Sequence, residues 1–255
     1  MPEWIVSWIL VAVAVWLLRP TVRWIHKHVQ GLGLLITNDP QGAVLIYYLA
    51  LLPGVALHEG SQWVLAKILR VKVKKFRLWP EKQRGGAIRL GLVEIDEATD
   101  NVRATLVGII PLVVGIGVIA LIGGWRFDPT ALLAALGTGD LPTIGAGIGA
   151  FFAAPDFWLW AYLVFAIANT MMPEEHDRIS WLPIVGLLVG LVVVLLVLDL
   201  GILVLAGLNG PLAQLAASMS LALILSLCID WLVMGMIWVM ERVLGRLLNR
   251  EVEYK

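Results

Sequence analysis

The sequence predicts an all-α polytopic membrane protein with about six transmembrane helices and a small β-hairpin at the membrane surface. Hydrophobic residues make up 60% of the 255 residues, charged residues make up 15%, and the mean hydropathy is +0.87. Soluble domains are nearer half apolar and about a quarter charged. Several apolar stretches also reach the roughly 18 residues that a spanning helix needs. We therefore expect residues 1–255 to form a single integral membrane domain.

The charge balance and the cysteine content exclude two other classes of protein. The 19 basic and 19 acidic residues cancel, so no nucleic-acid partner is expected. A disulfide-stapled scaffold is excluded because Cys228 is the only cysteine in the chain.

Six apolar segments are the predicted helices. They cover residues 4–18, 42–69, 104–125, 157–172, 181–208 and 211–239. Arg19-Pro20 is predicted to end the first helix, because proline commonly stops or kinks a helix. A polar connector with surface histidines, His26 and His28, is expected to complete the region 1–41. The last two helices and a basic tail form the region 181–255.

The segment 71–96 has a different pattern. Two short stretches in it, 71–79 and 87–96, are rich in β-branched residues and largely alternate apolar with polar side chains, and Gly85-Gly86 lies between them. This pattern predicts a β-hairpin or small sheet. Because open strand edges are not tolerated in lipid, we expect it in the headgroup layer or covered by protein.

The basic residues predict the orientation. Placing the segment 71–96 and both termini in the cytoplasm puts most of the Lys and Arg side chains inside. We expect a multi-pass protein of a prokaryotic cytoplasmic membrane, with both termini cytoplasmic. The lysine-rich stretch 67–84 is expected to face anionic lipid headgroups.

The second apolar segment contains the most informative motif, Leu-His-Glu-Gly-Ser-Gln-Trp at residues 57–63. Ionisable side chains at membrane depth are costly and usually mark function, which draws attention to His58 and Glu59. The stretch reads H-E-x-x-Q, one residue from the H-E-x-x-H zinc signature. On a helix, His58 and Gln62 share a face because they are four residues apart.

A zinc ion would need a further ligand from elsewhere in the chain. Two places offer one at comparable depth: Asp230 in the last helix, and the stretch 168–177, which ends the fourth helix with Glu174, Glu175, His176 and Asp177.

Together the motif and the stretch 168–177 resemble the site-2 protease family of intramembrane zinc metalloproteases. In that family an H-E-x-x-H helix and a β-rich segment precede a helix with the motif N-x-x-P-x-P-x-L-D-G. Asn169 and Asp177 keep its eight-residue separation, while Pro173 is displaced by one position and Arg178 replaces the final glycine. The stretch 103–112 is loosely similar to the family's R-A-x-x-x-x-A-G-P-L region. The resemblance covers residues 42–180.

The resemblance implies a zinc site. His58 and Asp177 would be zinc ligands, Glu59 the general acid/base, and Asn169 a neighbour of the substrate or oxyanion. Gln62 stands where the family has its second histidine ligand, and a neutral amide is a much weaker donor than imidazole. His176 is an alternative ligand because it adjoins Asp177.

Three functions follow from these residues. The first is hydrolysis of peptide bonds in membrane-embedded substrates, as in regulated intramembrane proteolysis, with the edge of the segment 71–96 pairing with an extended substrate. The second is a pseudoprotease that binds a partner helix as a membrane scaffold or regulatory subunit. The third is a small transporter or channel subunit with a polar path lined by His58, Glu59 and Asp230.

Overall fold

The computed structural model describes residues 3–77, 81–82, 88–89, 92–172, 201–248 and 250. Within these residues the chain is mostly helical. Seven α-helices are present there: α1 (Glu3–Thr37), α2 (Pro40–Ile68), α3 (Asn101–Ile122), α4 (Pro129–Gly137), α5 (Leu141–Phe152), α6 (Phe157–Ala168) and α7 (Gly201–Leu248). Most of the fifth predicted helix, 181–208, lies outside the described residues, as do His176 and Asp177.

Four of the described helices are long and apolar enough to cross a membrane. The spans are Val6–Thr37, Pro40–Ile68, Asn101–Phe127 and Gly210–Leu248. The helices α5 and α6 meet at a bend of 85° and add a fifth span if the pair is counted as one broken span. The protein therefore has the architecture of a multi-pass membrane protein, with four or five candidate spans among the described residues.

The first helix is more than twice as long as the sequence predicts. The helix α1 continues through Pro20 to Thr37, so the predicted polar connector 21–41 is wrong for most of its length. The hydroxyl of Thr21 donates to the carbonyl of Leu17 over 2.9 Å, beside the hydrogen bond that the proline cannot make. A buried stripe at helical spacing then packs against α2 and α7; it comprises Leu18, Val22, Ile25, Val29 and Leu32.

The predicted hairpin is present in the described residues as two antiparallel strand pairs. The strands are β1 (Val73–Arg77), β2 (Glu81–Lys82), β3 (Ile88–Arg89) and β4 (Leu92–Ile95). The strand β1 pairs with β4, and β2 pairs with β3. Lys75 lies opposite Glu94, and their side chains form an ion pair at 3.3 Å.

The base of the hairpin is anchored to two spans. Val71, just before β1, is buried against Ala66 at the end of α2 and Val107 on α3. Trp63 on α2 also contacts Phe76 of β1, with ring centroids 5.8 Å apart. The hairpin is therefore held at the C-terminal end of α2.

The segment between the third and fourth predicted helices is also helical, although no apolar span is predicted there. The helix α3 ends in a π-helical turn, Gly123–Phe127, and α4 and α5 follow. Phe127 packs against Phe151 and Phe157, with ring centroids 5.2 and 5.6 Å away. These aromatic contacts fix the bend between α5 and α6 against the end of α3.

The last helix, α7, corrects one more boundary. It runs without interruption from Gly201 to Leu248 and includes Pro211, so the break predicted between residues 208 and 211 is absent. It packs against α1 over much of its length and also contacts α3 and α6. The helix α6 packs against α2, α3 and α7, and its C-terminal end carries the polar residues described next.

Candidate functional site

A glycine brings α2 and α6 into close contact just before the H-E-x-x-Q motif. A Cβ built on Gly54 would collide with the backbone oxygen of Ala166 on α6 and with the hydroxyl of Thr170, which follows that helix. Only glycine lets the two backbones approach this closely. One turn further along α2, His58 therefore faces the C-terminal end of α6.

His58 is held by a backbone carbonyl from that end. Its Nδ1 lies 2.6 Å from the carbonyl oxygen of Thr170, which follows the last turn of α6. Because a carbonyl can only accept a hydrogen bond, Nδ1 carries the proton and donates it. In the neutral ring, Nε2 is then the acceptor. A histidine that ligates a metal is commonly oriented in the same way, by a carbonyl on the nitrogen that does not bind the metal.

Gln62 faces the other nitrogen of the same ring. Its Nε2 lies 3.3 Å from His58 Nε2, and the two side chains share a helix face as their spacing predicted. The amide N–H donates and the imidazole nitrogen accepts. The glutamine therefore contacts the very atom that would ligate a metal.

The three motif residues are enclosed by protein. The exposed fractions of His58, Glu59 and Gln62 are 6%, 5% and 4%. Charged and polar side chains are rarely buried to this degree without a structural or functional reason. The motif therefore lies inside the helical bundle.

Asn169 joins three helices at the end of α6. It is 2% exposed, and its side-chain amide donates to the Phe165 carbonyl at 2.9 Å and to Oδ1 of Asp230 on α7 at 2.8 Å. Its own backbone oxygen accepts a hydrogen bond from Nε2 of His26 on α1 at 3.0 Å. Asn169 is directly followed by Thr170, whose carbonyl holds His58.

Asp230 is 0% exposed and bonded to Asn169, so it is a residue packed against another helix with a hydrogen-bonded partner. One residue of this cluster was assigned differently from the sequence. His26 was predicted to be a surface group, which is wrong, because its ring turns inward to Asn169 and lies 5.5 Å from the ring of Tyr47. The apolar stripe of α1 was the sequence signal that should have placed His26 on a helix.

The cluster also contains two oxygen atoms without a donor. Oδ1 of Asn169 and Oδ2 of Asp230 are buried and accept no hydrogen bond from the residues that the structure describes. Buried acceptors of this kind are uncommon in native proteins. They lie on the two side chains that are already joined to each other.

Two of the predicted zinc ligands, His58 and Gln62, lie among the described residues. His58 fits, because its ring is oriented by the Thr170 carbonyl and presents Nε2. Gln62 offers only an amide, and the described residues contain no group of three His, Cys, Asp or Glu side chains that could hold a metal. The remaining predicted ligands, Asp177 and His176, follow Thr170 by seven and six residues and lie outside the described residues.

Comparisons of the chain with protein-family models, with curated proteins and with solved structures give no match.

Proposed function

We propose that this chain is a divergent intramembrane metalloprotease homologue of the site-2 type, acting on peptide segments within the membrane. The observation that supports this most is the hydrogen bond between His58 Nδ1 and the Thr170 carbonyl. It orients the ring of the H-E-x-x-Q helix and joins that helix to the segment that leads to Asp177. The order of motif helix, β-hairpin and later ligand-bearing segment also agrees with the family's order.

Each residue of the motif has a role in this proposal. His58 Nε2 is the principal zinc donor, Asp177 is the second, and Gln62 or His176 completes the set. Zinc bound there would polarise water and a peptide carbonyl. Glu59 accepts the proton of the attacking water, and its burial keeps bulk solvent away from that proton. Asn169 holds the end of α6 in place beside the substrate.

In this proposal the β-hairpin binds the substrate by pairing with it as an extended strand. Ten residues separate His58 from the end of α2 at Ile68, about 15 Å along the helix axis. An extended strand of about five residues covers that distance. A substrate strand that pairs with the edge of β1 or β4 at the membrane surface therefore has the length to reach His58.

One observation favours a second candidate, a pseudoprotease that binds a membrane partner without hydrolysis. The Gln62 amide contacts His58 Nε2, so this atom is satisfied by protein. A neutral amide in place of imidazole weakens zinc binding by several kcal/mol, an order-of-magnitude figure from the affinity of structural zinc sites. In this candidate the site persists as a hydrogen-bonded core, and the hairpin and outer helices bind the partner.

Zinc content of the purified protein distinguishes the two candidates. We expect the wild type to carry zinc and His58→Ala to lose it. His28→Ala is the matched control, because His28 bonds to the carbonyl of Trp24 within its own helix and stacks on that ring. Hydrolysis of a labelled transmembrane peptide, abolished by Glu59→Gln, would complete the support for the protease.

The variant Gln62→His restores the H-E-x-x-H pattern and tests the pseudoprotease candidate. Zinc found in Gln62→His but not in the wild type would establish the pseudoprotease candidate. If the wild type, Gln62→His and the His28→Ala control all lack zinc, the proposed metal site is overturned for both candidates.

We also propose six spans with both termini in the cytoplasm and the hairpin at the cytoplasmic membrane surface. The basic side chains Lys72, Lys74 and Lys75 support this orientation. In a Cys228→Ser background, a cysteine placed at Lys74 should be labelled from the cytoplasmic side only, and one at Thr138 from the opposite side only. Labelling of both from one side would contradict the topology.

A further inference from the structure

An arginine at the end of the third span has no acidic partner within the part of the chain that the structure describes. Arg126 lies in the π-helical turn Gly123–Phe127, and it is half-buried. Among the residues that the structure describes, none accepts a hydrogen bond from its guanidinium or forms an ion pair with it. Asp128, two residues away, is engaged elsewhere, because its carboxylate accepts from the Thr130 hydroxyl and the Ala131 amide. The N–H donors of the guanidinium are therefore unused.

Two tryptophans surround this guanidinium. Its Cζ lies 3.7 Å from the ring centroid of Trp125 and 5.1 Å from that of Trp160 on α6. The two rings are 5.4 Å apart and meet edge to face. The indole nitrogen of Trp160 is buried and, like Nε of Arg126, has no acceptor among the described residues. A cation and a second N–H donor thus stand side by side without an acceptor.

The protein core fixes this arrangement. Phe127, next to Arg126, packs edge to face on Phe157, one turn before Trp160 on α6. On the other side of the turn, a Cβ on Gly123 would lie 3.0 Å from the side chain of Leu225 on α7, so the turn sits tightly against that helix. A π-helical turn is rare and is frequently found at functional sites. Arg126 and Trp160 are therefore held together by the packing of three helices.

The position along the span indicates what supplies the missing acceptor. Arg126 lies next to the last residue of the candidate span Asn101–Phe127, at the end opposite the β-hairpin. Trp125 beside it and Trp158 on α6 are 68% and 61% exposed, as expected for rings at the level of the lipid headgroups. The abundant anion at that level is the phosphodiester of a phospholipid. Arginine binds phosphate oxygens in a planar, two-point geometry that lysine cannot form.

We propose that Arg126, Trp125 and Trp160 form a binding site for the phosphodiester group of a membrane phospholipid. The terminal nitrogens of Arg126 make the first contact with the phosphate, since Nε of Arg126 and the indole nitrogen of Trp160 are both enclosed. The Trp160 indole N–H becomes the second donor when its ring turns toward the bound phosphate, and the face of Trp125 keeps the guanidinium flat and oriented. The site lies on the membrane face opposite the lysine-rich stretch 67–84, and it is independent of the proposed proteolytic function.

Lipid binding by the protein in a maltoside detergent, which contains no phosphate, tests the proposal. Phosphatidylglycerol is titrated and bound lipid is counted by native mass spectrometry. Removing one cationic contact with Arg126→Gln should weaken binding of the first lipid about fivefold or more. Trp160→Phe removes the indole N–H but keeps an aromatic ring, and it should weaken binding by a smaller factor. Arg126→Lys should fall between the wild type and Arg126→Gln.

Trp158→Phe is the matched control, because it makes the same change on α6 at an exposed ring that lies outside the site; its affinity should equal that of the wild type. Equal affinity in Arg126→Gln and the wild type would overturn the proposal, as would an equal loss in Trp158→Phe and Trp160→Phe. Inorganic phosphate that competes at the same concentration as the lipid would overturn the lipid as occupant. Thermal unfolding of each variant separates loss of the site from loss of the fold.

Discussion

The side-chain amide of Asn169 donates to the carboxylate of Asp230 over 2.8 Å, across 61 residues of sequence. Both side chains are almost completely buried, so the contact joins α6 to α7 where no water competes for it. The backbone oxygen of Asn169 also accepts a hydrogen bond from the ring of His26 on α1. The helices α1 and α7 thereby fix the position of Asn169, and the next residue, Thr170, accepts the hydrogen bond from His58.

Replacement of Asp230 should show how much this hydrogen bond contributes to the free energy of unfolding. Asp230→Ala leaves the Asn169 amide short of one acceptor, and we expect a loss of about 1–3 kcal/mol in the free energy of unfolding. Asp230→Asn retains an acceptor oxygen and should lose less. Ser226→Ala on the same helix is the control, because Ser226 bonds to the carbonyl of Ala222 within α7. Unfolding in mixed micelles measures all three, and equal losses in the Asp230 and Ser226 variants would contradict the role given to the pair.

Gly54 and Gly60 on α2 form a natural matched pair. Gly54→Ala places a methyl group against Ala166 and Thr170, which must move, and overpacking of this kind costs about 1–3 kcal/mol. Gly60→Ala meets no atom within 4 Å, and we expect it to stabilise the helix by up to about 1 kcal/mol. Opposite shifts in the thermal unfolding midpoint are the expected result. A stable Gly54→Ala protein would mean that α2 and α6 are not in close contact.

The tautomer of His58 is a direct test of the site geometry. The Thr170 carbonyl requires a proton on Nδ1, so ¹⁵N-NMR of the labelled protein should show the Nδ1–H form of this ring. Gln62→Leu removes the amide beside Nε2 but leaves Nδ1 bonded, so the same tautomer should persist. An Nε2–H signal in the wild type would contradict the described arrangement of His58, Thr170 and Gln62.

The N-terminus of α5 should respond to acid. Asp140 caps this helix: its carboxylate accepts from the hydroxyl and the backbone N–H of Thr143, and these hydrogen bonds hold the pKa of Asp140 below its usual value. A carboxylate with a lowered pKa stabilises the folded state above its unfolded-state pKa, and this contribution disappears as pH falls through the lowered value. The protection of the Thr143 amide against hydrogen exchange, corrected for the intrinsic exchange rate at each pH, should therefore fall at acidic pH.

Asp140→Asn provides the control for that measurement. Asparagine is also a good N-cap but does not titrate in this range, so the acid-dependent change should vanish while the helix remains capped. If the corrected protection of the Thr143 amide in Asp140→Asn still falls with acid as in the wild type, another group is responsible.

Local patterns in the sequence predicted those features that depend on neighbours along the chain. The apolar segments 42–69 and 104–125 coincide closely with α2 and α3, and the alternating segment 71–96 contains the strand pairs. The shared face of His58 and Gln62 followed from helical periodicity alone. The same helical periodicity continues through α1, but Pro20 predicts that the helix ends there. This prediction is wrong because packing against α2 and α7 continues beyond the proline.

The sequence by itself determined that this chain has several apolar helices long enough to cross a membrane and that α2 carries a histidine and a glutamate among apolar residues, because hydropathy and helical spacing are local properties. Only the tertiary structure decided the partners of those groups. His58 meets Thr170 across 112 residues, and His26 meets Asn169 across 143, separations that no local pattern encodes. The π-helical turn that sets Arg126 beside Trp160 is of the same kind, because it results from packing against α6 and α7.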